Sequence, residues 1–297
     1  MRALRRVRLL GLVGLIGLLP AGAAAQSGFA ADRLQPCLVR SGLLASCDPR
    51  LPAGPWLLAA QADYAHHLLG IAEGAGEPTR WAIERRWTLR AELGWRPGRQ
   101  LLLAAGLDGV ADQHGRLTDA RGAALRAGPA RGRSWLAVLW SPLPPGLDWA
   151  LGLESRLVFP SPDRQGLAGP GRLHWELGLL ASARLGPLRP LLAVGLVLGE
   201  RARFRDLRRG PSLRFATGME WDFEIVPLAA SVELHGLTPL APPSAAAVDQ
   251  CLEWLAGLRL GPLHGAELRL GLGVGLLGPG APAIRAITAL RLQIPQR

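Results

Sequence analysis

Two histidines stand two residues from a glutamate: His174 with Glu176, and His235 with Glu233. On an extended strand, residues i and i+2 share a face, so each couple is a conceivable acid–base pair. A salt-bridge network meets the same spacing, and it is the better reading here. A Ser–His–Asn arrangement is impossible, because the chain has no Asn. His66 and His67 fall in the first long connection, and no third ligand has metal-binding spacing. No Gly-rich loop follows a strand and opens a helix, so no phosphate cradle is read. Neither a cofactor, a metal nor an enzyme is expected. Cys37 and Cys47, ten residues apart in an exported segment, are a possible disulfide; three free thiols are the alternative. Cys251 would be left over. Arginines crowd two long connections: Arg116, Arg121, Arg126, Arg131 and Arg133, then Arg201, Arg203, Arg205, Arg208 and Arg209. Guanidinium groups bind phosphate bidentately, so contact of the second cluster with lipopolysaccharide is one reading. Ordinary solvated loop charge is the other.

These side chains need a scaffold, and composition narrows it. The 297 residues carry a net charge of +11, with 49% hydrophobic and 19% charged residues. That is too apolar for a disordered chain. All 34 basic residues are arginine, a skew that codon choice in a GC-rich genome explains more simply than a nucleic-acid patch. Nucleic-acid binding is disfavoured because the charge is spread over loops. Arg2, Arg5, Arg6 and Arg8 precede an apolar run from Leu9 to Leu19, then Ala23-Ala24-Ala25 before Gln26. This predicts a secretory signal peptide over 1–25.

Beyond it the sequence alternates with period two. Trp87, Leu89, Ala91, Leu93 and Trp95 oppose Arg86, Thr88, Arg90, Glu92 and Gly94; Leu268, Leu270, Leu272 and Val274 oppose Glu267, Arg269, Gly271, Gly273 and Gly275. A helix would spoil both faces, whereas a strand separates them. Strands are predicted near 56–64, 81–95, 99–108, 133–141, 147–159, 172–186, 189–200, 211–223, 227–237, 251–260, 265–276 and 283–294. Most are longer than the ~5–6 residues of soluble strands and match the ~9–11 a tilted strand needs to cross a bilayer. Short connections follow even strands and longer ones mostly follow odd strands, as in outer-membrane barrels with periplasmic turns and extracellular loops. The fold class is therefore all-β: an antiparallel transmembrane β-barrel of about twelve strands, the apolar face toward lipid. A secreted β-sandwich or soluble barrel is the competing architecture. The polar face should line a lumen through Glu84, Arg86, Arg90, Glu92, Asp148, Glu154, Arg156, Arg172, His174, Glu176, Arg184, Arg214, Glu220, Asp222, Glu233, His235, Glu253, Arg259, Glu267, Arg269, Arg285 and Arg291.

Arg33 to Leu44 with Ala62-Asp63-Tyr64, Ile83 to Arg86, and above all Cys251 to Leu292 carry a family resemblance. The chain resembles the barrel region of OmpA-family and porin-like proteins of GC-rich, myxobacterium-like Gram-negative bacteria. The resemblance implies an outer-membrane barrel, often followed by a peptidoglycan-binding domain. The sequence runs only to Arg297, so a barrel without that domain is expected, and its end lacks the aromatic residue read by the insertion machinery. The expected organisation is a signal peptide over 1–25, a periplasmic segment or plug over 26–55 and the barrel over 56–294. The expected partners are outer-membrane lipid and lipopolysaccharide, the insertion machinery and small solutes. The expected role is porin-like passive passage across the outer membrane. A plugged structural barrel, or a barrel enzyme at the outer leaflet, is the alternative.

Overall fold

The computed structural model describes residues 34, 37, 44–52, 54–71, 80–115, 127–161, 171–199, 202–204, 207–223, 225–240, 250–278 and 281–294. The signal-peptide expectation lies outside them. The described chain forms fourteen strands: β1 (Trp56–Ile71), β2 (Arg80–Trp95), β3 (Leu101–His114), β4 (Ala130–Trp140), β5 (Trp149–Phe159), β6 (His174–Ala183), β7 (Leu188–Leu198), β8 (Ala202–Phe204), β9 (Leu207–Arg209), β10 (Ser212–Phe223), β11 (Leu228–Pro239), β12 (Cys251–Leu263), β13 (Ala266–Leu277) and β14 (Ile284–Ile294). Twelve of them close into one antiparallel barrel, and β8 and β9 pair apart from it as a small hairpin. Each barrel strand pairs with the barrel strands next to it in sequence, β7 reaching past the hairpin to β10. The seam closes where β1 meets β14, from Trp56 opposite Ile294 to His66 opposite Ile284. Closure leaves no edge strand with unpaired backbone groups, which is the condition for crossing hydrocarbon.

The burial pattern is inside-out relative to a water-soluble fold. Along β2, Arg86, Thr88, Arg90 and Glu92 are buried, while Trp87, Leu89, Leu93 and Trp95 are 42–52% exposed. The same inversion runs around the wall: Leu153, Leu179, Leu258, Leu272 and Leu290 lie on the outside, and Glu154, Glu233, Glu253, Arg269 and Arg285 are buried within. Monomeric soluble proteins rarely leave a continuous apolar patch of this kind uncovered. A secreted sandwich would put these leucines in its core, so that architecture is set aside.

The outer tryptophans fall at two heights. Trp56, Trp95, Trp140, Trp149 and Trp221, with Phe223, stand at strand ends beside the short connections. Trp87, Trp175 and Trp254 stand toward the other rim, with Tyr64 packed 4.9 Å from Trp87. Trp95 lies eight residues beyond Trp87 on β2, about 26 Å along the strand at ~3.3 Å per residue. Two aromatic girdles about an apolar band of that scale are the mark of a barrel seated in a bilayer.

Several element boundaries differ from expectation. Strands β1 and β3 run on to Ile71 and His114, so His66 and His67 sit in the wall rather than in a loop. The hairpin β8–β9 was not expected, because three-residue strands give too short a pattern to read. Asp148 and Arg184 fall just outside β5 and β6 and are exposed at the short-connection rim. The alternation that assigned them to the lumen had been carried past the strand ends.

Candidate functional site

Because each wall strand turns every second side chain inward, the lumen gathers charge from all sides. Asp63 of β1 meets Arg285 of β14 at 2.5 Å, across the closing seam. It also meets Arg90 of β2 at 2.9 Å. Arg285 binds Glu253 at 2.6 Å, and its guanidinium has no solvent exposure. Asp108 takes Arg133 at 2.6 Å. On the other side of the lumen, Glu176 lies between His174 at 3.2 Å, Arg214 at 3.4 Å and Arg156 at 4.0 Å. Arg156 also reaches Glu154 at 3.1 Å and stacks over Trp135. Charges buried this completely are stable only in such mutual pairing.

The sequence pairing of His235 with Glu233 is not the one formed. His235 lies 3.4 Å from Glu253, its direct cross-strand neighbour on β12. Glu233 instead accepts three backbone N–H bonds, from Leu44 at 2.6 Å, Ala45 at 2.8 Å and Ser46 at 2.7 Å. Those donors belong to the segment preceding β1, whose described part lies inside the barrel. Cys37 and Cys47 form a disulfide there, and Cys251 is free and buried. Wall arginines hold the segment's carbonyls: Arg133 donates to Leu34 O, Arg269 to Cys37 O and Arg96 to Pro52 O. Asp48 accepts from Ser182 and Arg189, and Arg50 donates to Ser182 and to the carbonyls of Leu147 and Asp148. Two wall glycines make the fit possible. A Cβ on Gly271 would lie 2.1 Å from Leu44 Cδ1, and one on Gly152 would lie 2.7 Å from Pro49 Cβ.

Below this segment, at the short-connection rim, the lumen widens into a cavity of about 580 Å³. Arg96, Arg99 and Arg184 stand at its mouth, and Arg50, Arg189, Arg259, Arg269 and Arg291 line it further in. Arg259 is paired with Glu220 and Asp222, Arg189 with Glu220 and Asp48, and both Arg269 and Arg291 with Glu267.

The remaining expected lumen residues follow this geometry. Glu84 is half-buried toward the long-connection end, Arg86 is 1% exposed and donates to Gln113, and Glu92 accepts from the indole of Trp135. Arg172 lies exposed before β6. Of the arginines considered for lipopolysaccharide, Arg201 and Arg205 lie outside the described residues. Arg203, Arg208 and Arg209 belong to the β8–β9 hairpin, where side chains are not described. Several lumen positions are not marked by the sequence pattern. Asp48, Arg50, Asp63, Asp108 and Arg189 all hold key pairs. Asp63 could have been found, since Leu57, Ala59, Gln61, Asp63 and Ala65 alternate with outward residues.

Chemically, the lumen offers charge and hydrogen bonds. Both histidines face carboxylates already held by arginines. Among the described residues no three metal-ligating side chains converge.

The architecture has solved counterparts. An outer membrane channel from Pseudomonas putida F1 superposes with a TM-score of 0.63 at 13% identity, covering 88% of this chain and 99% of that one. The NanC porin superposes with a TM-score of 0.52 at 6% identity, covering 80% of this chain and all of that one. At such identities the likeness concerns the fold: a closed twelve-stranded outer-membrane barrel. No family model and no curated protein sequence matches the chain.

Proposed function

We propose that the protein is an outer-membrane barrel for porin-like passage of small hydrophilic solutes, with the described part of the segment preceding β1, above all residues 44–52, as the element that opens and closes the lumen. The observation that carries this reading is how the lumen is obstructed. Beside the charge pairs of the wall itself, the obstruction includes a separate segment seated on Glu233, Arg269, Arg189 and Arg96 through side-chain hydrogen bonds, with a charged cavity directly beneath it. A segment held by side-chain contacts can leave without breaking the strand ladder. The two aromatic girdles and the outward leucine band support residence in the outer membrane, with the short connections on the periplasmic side. An OmpA-type relationship and export by a signal peptide belong to this proposal too.

A second reading, a closed structural barrel, is favoured by the wholly buried Arg285–Asp63–Glu253 group in the lumen, level with the girdle of Trp87 and Trp254. Planar-bilayer recording of the refolded full chain separates the two. Discrete current steps support passage. A barrel that inserts but stays silent at all voltages, both intact and after release of the segment, leaves the structural reading.

A further inference from the structure

The cavity at the short-connection rim is lined by eight arginines against three carboxylates, Asp48, Asp222 and Glu267, and Glu220 behind the lining, paired with Arg189 and Arg259, brings the balance to eight against four. That excess is concentrated in a recess with low-dielectric walls, which focuses the field and raises the local concentration of counter-ions. Five of these arginines are engaged with carboxylates of the wall or the inner segment, and their positions are fixed by those pairs. Two are not. The side chains of Arg99 and Arg184 make no hydrogen bond or ion pair among the described residues, and both stand exposed at the mouth. They come from different walls, Arg99 from the β2–β3 connection and Arg184 from the β6–β7 connection. Fixed positive charge inside and two uncommitted guanidinium forks outside suit an anion bearing several oxygens, which each fork can engage bidentately.

From this geometry we infer that the cavity is a binding vestibule for small multivalent anions, polycarboxylates or phosphate esters, and that the barrel selects for them. The inference rests on the passage reading for its role in selectivity, but the binding site stands independently of it. A cavity of about 580 Å³ accommodates a molecule of citrate or pyrophosphate size with its water. Ordinary phospholipid headgroups share the same chemistry, and the vesicle arm of the test separates the two sources.

The test uses the refolded full chain in a neutral detergent. Calorimetric titration with citrate and with pyrophosphate should show saturable binding, and titration with sucrose none. The double variant Arg99→Gln/Arg184→Gln should weaken citrate binding about tenfold or more, the loss of roughly one charge-assisted bond. Because neither side chain has a fold-stabilising partner, the variant should retain heat-modifiable migration on gels. Reversal potentials across a KCl gradient should show chloride preferred over potassium, less so in the variant. Citrate binding in a silent barrel would sustain the vestibule and retire passage. A conducting barrel with neither citrate binding nor anion preference would overturn the vestibule and leave passage standing. Retention of phosphatidylglycerol vesicles, without binding of either soluble anion, would also overturn it.

Discussion

Replacing Glu233 by Gln tests the seat of the inner segment. In the wild type, Oε1 accepts Leu44 N–H, and Oε2 accepts both Ala45 N–H and Ser46 N–H, at 2.6–2.8 Å. A glutamine oxygen turned toward Ala45 and Ser46 keeps two bonds but makes them neutral. Its amide then faces Leu44 N–H, donor against donor. Charge assistance is worth about 1 kcal/mol more per bond than a neutral pairing, and a stranded buried donor costs about 1–3 kcal/mol. The sum is ~4 kcal/mol, which water entering the vacated site reduces to about 3 kcal/mol. At 1.4 kcal/mol per decade, the ratio of open to closed lumen should rise by about two decades. The assay is single-channel recording, scored as the fraction of time in the highest conductance state. The barrel wall is untouched, so heat-modifiable migration should persist. A folded Glu233→Gln protein with unchanged open time would refute the reasoning, because it would show that the segment is not held by this carboxylate or is not what closes the lumen.

Three further outcomes are expected. Asp63→Asn removes the shared partner of Arg285 and Arg90 at the seam. Breaking a buried pair costs about 3–5 kcal/mol, so the denaturant midpoint in lipid should fall sharply; an unchanged midpoint would contradict the closure argument. Leu272 is 65% exposed midway along β13, and Leu272→Arg should cost about 2–4 kcal/mol in bilayer-embedded folding, against almost nothing if that face meets water. Cys37→Ser/Cys47→Ser removes a constraint worth about 2–3 kcal/mol on the inner segment, so current noise should increase without loss of barrel folding; noise indistinguishable from wild type would show that the disulfide does not steady the segment.

The barrel was legible because its physics is local. Leu268 to Val274 opposite Glu267 to Gly275 states both faces in one short stretch, and a closed wall follows from the hydrogen-bond requirement in hydrocarbon. The girdles were not legible strand by strand. Trp56, Trp140 and Trp221 each read merely as apolar, and only pairing brings them to one height. The seat of the inner segment was hidden for a different reason. Residues 44–52 have no period, and Glu233 looked like a partner for His235 until the register placed Glu253 opposite that histidine. Arg189 was missed because β7 is apolar on nearly all sides, leaving no alternation to mark its inward face. Asp148 and Arg184 were misassigned at strand ends, where the ladder stops but the sequence pattern does not.

Tryptophan fluorescence in vesicles tests the placement of the outer surface most directly. Eight of the ten tryptophans face outward at the two girdles. Folded into vesicles of lipids brominated along the acyl chain, the protein should show strong quenching, deepest for bromines near the chain ends closest to the girdles. Emission equal to that in unbrominated vesicles, from a folded protein that also stays monodisperse in buffer without detergent, would contradict a lipid-facing wall.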